Sequence, residues 1–239
     1  FDDAIKSFEL ALAINPNYDE AKHLLNVLIG HTSNSPPKKY VEKLFDDFAD
    51  RFDDSLVNNL HYNLPVQIKD FILKFNNKDT KFKNVIDLGC GTGLAGQNLR
   101  EISINLTGID ISKNMISKAE ILGIYDKLII GEIVEELGSL EEKFDLFVAL
   151  DVLIYVGDVQ SIFNIVRKRS DKEAIFIFSV EIENGEGFSL LKSARYGHSE
   201  KYIMEQASGI FELVHSINVR LRKEGNDWIN GKVYAFRLI

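Results

Sequence analysis

Apolar side chains recur at helical spacing through the first thirty residues of the chain. The pattern breaks at Asn15-Pro16, which predicts two short antiparallel helices within residues 1–31. Residues 32–39 contain serine, asparagine and a Pro-Pro pair, a composition that cannot continue a helix and that indicates a linker. The sequence therefore predicts a helical hairpin that is separated from the rest of the chain.

Helical spacing returns in the segment 40–75, ahead of the main sheet. From Tyr40 the apolar residues line one face and acidic residues occupy the other faces, which predicts an amphipathic helix that could act as a lid. Pro65 suits a first helical turn and predicts a further helix that ends at Phe75. We expect both helices to belong to a main domain over residues 40–239.

After residue 80 the pattern changes to short apolar runs that alternate with helical stretches, as is typical of parallel βαβ units. The predicted strands lie at residues 83–88, 105–110, 127–130, 144–150 and 174–180, and two longer runs at 211–221 and 228–238 predict an antiparallel hairpin. The sequence therefore predicts a Rossmann-like α/β fold with a seven-stranded, mostly parallel sheet and an antiparallel C-terminal hairpin.

The first predicted strand runs into the glycine-rich turn DLGCGTG at residues 87–93, and a helix opens at Leu94. Glycine lacks a Cβ atom and lets the backbone approach a ligand closely, and the free N–H groups at a helix start can bind a carboxylate or phosphate. In an open α/β sheet the ligand lies outside the carboxyl ends of the strands, at the topological switch point. The turn is therefore predicted to bind a ligand.

This turn resembles the first motif of the class I S-adenosylmethionine-dependent methyltransferases position by position, and GIDIS at residues 108–112 resembles their second motif. The resemblance implies S-adenosylmethionine as the cofactor, with Asp110 accepting hydrogen bonds from both ribose hydroxyls. It also implies that Glu132 and Ile133 border the adenine, although the family usually has Asp in place of Glu132. The cofactor-binding residues that it implies are Asp87, Gly89, Cys90, Gly91, Gly93, Leu94, Asp110, Ile111, Met115, Glu132, Ile133 and Leu150.

Nearly the whole chain resembles a subgroup of predicted methyltransferases that carry tetratricopeptide repeats ahead of the catalytic domain. Ala4, Phe8, Ala11 and Pro16 have the spacing of the second helix and closing proline of such a repeat. One unit cannot bury its own apolar face, so we expect the hairpin to pack on the next domain or to end a longer array, and to offer a site for a protein partner. An unrelated helical hairpin is the alternative.

Methyl transfer from a sulfonium is an in-line displacement, which chiefly requires that the reacting atoms be held close and aligned. We predict no metal site, because the five histidines are scattered and no cysteine cluster exists. Tyr40, Phe48 and Tyr62 are predicted to close over the cofactor and to offer aromatic faces to its positive charge. Packing in the core is the alternative for each of these rings.

Four residues near the ends of the later strands are candidates for acceptor chemistry. His198 is the candidate general base, with a loop histidine facing water as the alternative. Arg195 is a candidate clamp for an acidic acceptor, or it pairs with a surface acid. Asp151 and Tyr155 follow the fourth strand and are candidates for orienting the acceptor or cofactor, and Tyr155 has core packing as its alternative.

Composition narrows the partners that these motifs allow. The chain has 28 basic and 36 acidic residues, a formal net charge of -8 and a pI of about 5.2, which argues against nucleic acid as a ligand. A single cysteine, Cys90, suits a reducing cytoplasm, and the apolar runs are far shorter than the roughly 20 residues of a membrane helix. We therefore expect a cytoplasmic protein with no membrane segment.

The sequence therefore favours a methyltransferase that acts on a small-molecule or protein acceptor. A non-catalytic module that binds the cofactor and recruits a partner is one alternative. An NAD-dependent oxidoreductase is the other, because residues 91–96 satisfy the pattern G-x-G-x-x-G and Asp110 lies near the spacing of a ribose ligand. The register opposes this second alternative, since Asp87 ends the strand and Gly89 precedes the pattern, whereas dinucleotide folds start their glycines from an apolar strand end.

Overall fold

A computed structural model describes residues 1–59, 62–74, 81–225 and 227–239. The α-helices are α1 (Asp2–Ile14), α2 (Asp19–Ile29), α3 (Lys38–Phe48), α4 (Leu64–Ile72), α5 (Leu94–Ile102), α6 (Lys113–Leu122), α7 (Ile133–Ser139), α8 (Gln160–Arg169) and α9 (Glu200–Ala207). The strands are β1 (Phe82–Leu88), β2 (Ser103–Asp110), β3 (Lys127–Ile130), β4 (Phe144–Ala149), β5 (Ser170–Ile182), β6 (Phe188–Leu190), β7 (Tyr196–His198), β8 (Phe211–Glu224) and β9 (Asp227–Leu238).

All strands belong to one sheet, whose main path runs β3-β2-β1-β4-β5-β7-β6. The strands from β3 to β5 along this path are parallel, β9 pairs antiparallel with β5, and β8 pairs antiparallel with β9. The strand order reverses between β1 and β4, so the topological switch point lies at the carboxyl ends of these two strands. This arrangement confirms the predicted Rossmann-like fold with its C-terminal hairpin.

The sheet has nine strands in the described residues and not the predicted seven. The two additional strands, β6 and β7, pair antiparallel with each other, and β7 continues the sheet beside β5. Each has only three residues. A run of that length contains too few positions for alternation to be recognised, which is why the sequence pattern missed both strands.

The predicted lid segment contains three helical geometries in place of one helix. The α-helix α3 ends at Phe48, and Ala49–Arg51 form a 3₁₀ turn and Asp54–Asn59 a π-helix. The second predicted helix is α4, which starts one residue before Pro65. Its predicted end at Phe75 lies outside the described residues.

Two apolar cores cover the faces of the sheet, and alternation along each strand divides the side chains between them. In β4, Leu146 and Val148 belong to the core beneath α4 and α5, whereas Phe147 and Ala149 belong to the opposite core with α8. Successive strand residues point to opposite faces, so both faces of a central parallel strand are apolar. The two cores fix the strand ends from which the functional loops arise.

The N-terminal hairpin is attached to the main domain through its second helix. Within residues 1–59, α1 buries no side chain, whereas α2 buries Ala21 and His23. The ring of His23 lies 4.8 Å from the ring of Tyr40 in α3. The hairpin therefore packs on the next domain through α2, and α1 stays on the outside.

None of the helices in the described segments combines the length and the apolar character that crossing a bilayer would require.

The segment predicted as a linker, residues 32–39, contacts the main domain closely. The carbonyl of Asn34 accepts a hydrogen bond from the backbone N–H of Asp158 at 2.8 Å. The hydroxyl of Thr32 accepts one from the N–H of Leu190 at 3.1 Å, and the Ser33 hydroxyl lies 2.9 Å from that of Tyr196. The segment is thus an ordered part of the wall around the functional loops.

Candidate active site

A cavity of about 780 Å³ lies at the carboxyl ends of β1, β2 and β4, where the strand order reverses. Its walls come from the glycine-rich turn, the loops after β2, β3 and β4, the lid segment and the linker. Cavities of about 300–1,000 Å³ are typical of small-molecule sites. The fold therefore places a ligand-sized space at the location that the glycine turn predicts.

The glycine-rich turn is held tightly against the end of β4. Gly89 has φ +69°, and a Cβ atom at this position would lie 2.4 Å from a methyl carbon of Val152. The N–H groups of Gly89 and Cys90 donate to the carbonyl of Ile109 at 2.8 and 2.9 Å. Only glycine fits this conformation and this contact, so the turn stays close to both neighbouring strands.

Asp110 presents a fixed carboxyl group at the end of β2. Its two oxygens accept hydrogen bonds from the backbone N–H groups of Gly91 and Ser112, each at 2.8 Å. Burial raises the pKa of Asp110 to about 6, and these two hydrogen bonds oppose the rise. The carboxyl group lines the cavity, where it can accept further hydrogen bonds from a ligand.

Asp87 at the end of β1 is a second buried acid in the cavity wall. Burial raises its pKa to about 7, and the hydroxyl of Tyr125 donates a hydrogen bond to it at 2.7 Å, which opposes the rise. The Tyr125 ring packs over Gly96 in α5, where a Cβ atom would lie 2.1 Å from the hydroxyl oxygen. Sequence reasoning missed Tyr125, because it stands in a loop before β3 outside any motif.

The lid segment is fastened over the cavity by its acidic face. The Ser112 hydroxyl donates to Asp46 at 2.5 Å, and the Thr92 hydroxyl donates to Asp53 at 2.5 Å. Ser112 is the N-cap of α6, and Thr92 belongs to the glycine-rich turn. The acidic face of the lid therefore contacts the two loops that border the cavity.

The apolar face of the lid supplies aromatic rings to the same cavity. Phe45, Phe48 and Phe52 line it, and their ring centroids lie 5.7–6.2 Å apart in edge-to-face pairs around Phe52. The ring of Phe45 also meets that of Tyr155 edge-on at 5.0 Å. These contacts give the cavity a continuous aromatic wall opposite the strand ends.

A buried guanidinium also lines the cavity. Arg222 is 1% exposed and donates to both oxygens of Asp151 at 3.0 and 3.3 Å. It also forms ion pairs with Glu181 and, at 3.4 Å, with Glu224. Burial raises the pKa of both Asp151 and Glu181, and the charge of Arg222 opposes the rise. The charge of the guanidinium therefore favours the ionised form of both carboxyl groups.

Arg195 and Tyr155 extend this charged cluster along the cavity wall. Arg195 donates from Nε to the Tyr155 hydroxyl at 3.3 Å and forms an ion pair with Glu224. Asp151 has φ +58°, an uncommon conformation for a residue other than glycine, and its N–H donates to the Ser179 hydroxyl at 2.8 Å. The surrounding contacts hold this strained residue in place.

Sequence reasoning missed Arg222, because the predicted strand 211–221 ends before it and leaves it in the connection of the C-terminal hairpin. Strand β8 instead continues to Glu224, and its register with β9 shifts between Arg220 and Arg222. Both Leu221 and Arg222 are buried, against the alternation of a regular strand. The bulge turns the Arg222 side chain to the face opposite to the one that regular alternation would give it. A prediction that relies on strict alternation therefore could not find this residue.

Most of the residues predicted for the site line the cavity together. These are Asp87, Gly89, Cys90, Gly91, Leu94, Asp110, Ile111, Glu132, Ile133, Leu150, Phe48, Asp151, Tyr155 and Arg195. Tyr62 lines it as well. Four others, Gly93, Met115, Tyr40 and His198, do not belong to the lining that the described residues form.

His198 points away from the cavity into the protein. The side chain is buried, its Nε2 lies 2.9 Å from the carbonyl oxygen of Gly157, and its ring stacks on that of Tyr202. Burial lowers its pKa. The structure therefore does not bring His198 to a position from which it could take a proton from a ligand.

Among the described residues, no group of three or more His, Cys, Asp or Glu side chains is placed to hold a metal ion.

Local packing accounts for the other three residues outside the lining. Gly93 is the N-cap of α5 with φ +95°, and a Cβ atom there would meet Leu122 at 2.8 Å. Met115 is fully buried in α6. Tyr40 packs on His23 of the N-terminal hairpin. Helical or motif spacing alone does not distinguish these orientations from ones that face the cavity.

The fold and the cavity together define a Rossmann-like domain with a cofactor-type site at its switch point. A family model described as "Methyltransferase domain" matches residues 79–208. The chain therefore belongs to the methyltransferase-domain family. This membership agrees with the methyltransferase domain that the sequence motifs predict.

Curated relatives and solved structures agree with this family. The chain is 30% identical over 138 residues to a ubiquinone biosynthesis O-methyltransferase of Pelagibacter ubique (strain HTCC1062), covering 53% of this chain and 57% of the relative. It is 28% identical over 152 residues to the protein of the same name from Hahella chejuensis (strain KCTC 2396), covering 61% and 63%. The chain thus spans less than two thirds of the length of these relatives.

Two crystal structures share the fold. Magnesium protoporphyrin IX methyltransferase from Synechocystis PCC 6803, with bound SAH, superposes with a TM-score of 0.64 at 17% identity, covering 84% of this chain and 99% of the other. The N-methyltransferase NodS from Bradyrhizobium japonicum WM9, in complex with S-adenosyl-L-homocysteine, gives 0.64 at 14% identity, covering 83% and 98%. At these identities the likeness concerns the fold alone.

Proposed function

We propose that this chain transfers a methyl group from S-adenosylmethionine to a small-molecule acceptor that is bound in the same cavity. The observation that carries the proposal is one continuous space that joins the glycine-rich turn and Asp110 to the charged cluster around Arg222. The first half suits a nucleoside cofactor and the second half suits a polar, ring-containing acceptor. Such an arrangement holds two reactants close together, which is the main requirement of a displacement reaction.

The residues of the first half fit the cofactor. Gly89 leaves no room for a Cβ atom against Val152, which keeps the turn close to the strand ends, and the Asp110 carboxyl lines the cavity, where it could accept hydrogen bonds from a ribose diol. Glu132 and Ile133 would border the adenine, and Phe48 would cover the cofactor from the lid. When bound, S-adenosylmethionine supplies a methyl group on a positively charged sulfur. The chain itself binds and aligns the two reactants and excludes water from them.

Two features favour a small oxygen-containing acceptor over a protein side chain. The lid and the linker both contribute to the cavity wall, and the lid is hydrogen-bonded to Ser112 and Thr92. A folded protein would have to displace these segments to reach the reacting atoms. The curated relatives are named O-methyltransferases, which supports an oxygen atom as the acceptor.

The N-terminal region supports a proposal about domain organisation. We infer that residues 1–31 are a tetratricopeptide-like hairpin, that 32–39 connect it, and that 40–239 form the catalytic domain, as in the subgroup with such repeats. The packing of α2 on α3 and the exposed α1 support this division and leave a surface for a protein partner. We also propose that the protein is cytoplasmic and that its ligand is not a nucleic acid.

Binding of the cofactor tests the central proposal. Isothermal titration of the chain with S-adenosylmethionine and with S-adenosylhomocysteine is expected to give saturable heat at a stoichiometry near one. Cell extract incubated with the chain and labelled S-adenosylmethionine is expected to carry label in its small-molecule fraction. Binding without any transfer would support the non-catalytic module, and heat protection by NAD alone would contradict the proposal.

Cofactor affinity is expected to rise with pH. Burial raises the pKa of Asp110 to about 6, so this carboxyl is largely protonated at pH 5 and ionised at pH 7.5. Ribose hydroxyls donate best to the ionised carboxylate. Since only the ionised fraction is competent, affinity for S-adenosylhomocysteine should increase about 10-fold between pH 5 and 7.5. Titration calorimetry across this range checks it, and an Asp110→Asn variant should have a much flatter profile.

A further inference from the structure

The charged cluster at the acceptor end of the cavity has a donor and acceptor pattern that selects a ligand. It contains two guanidinium groups, Arg195 and Arg222, and three carboxylates, Asp151, Glu181 and Glu224. One net negative charge results when all five groups are ionised. Both guanidinium groups are already paired with carboxylates, so an anionic ligand would find no unpaired cation in the cluster.

The hydrogen bonds within the cluster leave donors available to a ligand. The Tyr155 hydroxyl accepts from Nε of Arg195, so its own proton is free to be donated to a neighbouring oxygen. The Nε atom of Arg222 is buried without a hydrogen-bond partner among the described residues. An aromatic amine is a weak acceptor, because its nitrogen lone pair is delocalised into the ring, so it would pair poorly with the Tyr155 proton.

Asp151 lines the cavity between the charged cluster and the glycine-rich turn. Its carboxylate lines the cavity, and the next residue, Val152, contacts Gly89 of the cofactor turn. Its φ of +58° is maintained by the hydrogen bond to Ser179 and by the ion pair with Arg222. A strained residue that is fixed on two sides beside a cofactor turn is a common feature of reactive sites.

We propose that Asp151 is the general base for an aromatic hydroxyl acceptor, that Arg222 is the positioning residue that fixes Asp151, and that Tyr155 with Arg195 binds the acceptor oxygen. The aromatic wall of Phe45, Phe48 and Phe52 matches a planar ring. This inference rests on the proposed function and assigns the substrate class of the same cavity.

The step balances in atoms and charge. Asp151 takes the hydroxyl proton as the O–H bond breaks, and the electron pair left on the oxygen forms the new bond to the methyl carbon. The bond between that carbon and the donor sulfur breaks, and its electrons remain on sulfur. One positive charge on sulfur and one negative charge on Asp151 are neutralised together, and the products are a methyl ether and a neutral thioether.

Binding of three small probes in the presence of saturating S-adenosylhomocysteine tests the inference. Phenol, aniline and benzoate represent a hydroxyl, an amine and an anion on the same ring. We expect phenol to bind at least about 10-fold more tightly than either of the others, the size of effect typical of a hydrogen bond to a charged group. An Asp151→Asn variant should lose about 10-fold or more in phenol affinity.

An Arg222→Lys variant separates positioning from a merely structural role. Loss of stability alone would leave the preference for phenol over aniline unchanged, whereas displacement of Asp151 would reduce that preference severalfold. Asp145→Asn, near the start of the same strand β4, and Arg237→Lys in β9 are matched controls and should keep the wild-type preference. If Arg222→Lys does not fold, the phenol affinity of Asp151→Asn still tests the role of Asp151.

The outcomes distinguish this inference from the proposed function. If the wild-type chain does not bind S-adenosylhomocysteine, the proposed function fails. If it binds S-adenosylhomocysteine but binds no probe, or binds aniline or benzoate as tightly as phenol, the assignment of the acceptor class is overturned. A phenol affinity within twofold of wild type in Asp151→Asn overturns the role of Asp151.

Discussion

Replacement of Arg222 by methionine is expected to lower the free energy of unfolding by about 3–5 kcal/mol. The guanidinium is almost fully buried, and its partners Asp151 and Glu181 have side chains that are only 15% and 4% exposed. Removing this cation leaves two largely buried carboxyl groups without their direct ion-pair partner, and only the charge of Arg195 remains to offset them. Because the energetic cost comes from these unpaired acids, it should exceed that of losing one hydrogen bond. Urea unfolding followed by circular dichroism measures the change.

The matched control is Arg237→Met in β9. Arg237 pairs with Glu212 at 3.4 Å, and the two side chains are 36% and 54% exposed. Surface ion pairs contribute about 0–1 kcal/mol, so this variant should remain close to wild type. A loss below about 1 kcal/mol in Arg222→Met would show that solvent or rearranged side chains already screen the cluster, and would contradict our view of it.

The Asp110→Ala substitution should weaken S-adenosylhomocysteine binding by about 1–3 kcal/mol, which corresponds to roughly 5- to 150-fold in affinity. The change removes the carboxyl that would accept the ribose hydroxyls, and it also leaves the N–H groups of Gly91 and Ser112 without their acceptor. The turn would therefore lose a support as well as a ligand contact. Titration calorimetry at pH 7.5 gives the affinity directly.

Asp126→Ala serves as its control. Asp126 also accepts a hydrogen bond from a backbone N–H, that of Leu106 at 2.7 Å, but it does so outside the lining of the cavity that the described residues form. This variant can lose stability yet should keep the cofactor affinity of the wild type. An Asp110→Ala chain that binds S-adenosylhomocysteine within twofold of wild type would remove Asp110 from the proposed cofactor site.

The sequence alone determined the features that depend on short-range patterns. Alternation of apolar runs and helical stretches predicted β1 to β5 and the C-terminal hairpin, because a buried parallel strand must be apolar on both faces. The turn from Asp87 to Gly93 identified the ligand-binding end of the sheet, since glycines are needed where the backbone contacts Val152 so closely. Asp110 followed from the same local motif.

Tertiary structure alone decided which polar side chains meet in the cavity. A bulge in β8 turns Arg222 inward, the hydrogen bond to Gly157 holds His198 in the core, and the Tyr125 hydroxyl reaches Asp87 across 38 positions of sequence. Two acidic residues of the lid likewise accept hydrogen bonds from the hydroxyl groups of Ser112 and Thr92. Such pairings depend on bulges, loop paths and partners that are distant in sequence. The periodicity of one segment contains no information about them, because each is selected by the energy of the whole packed arrangement.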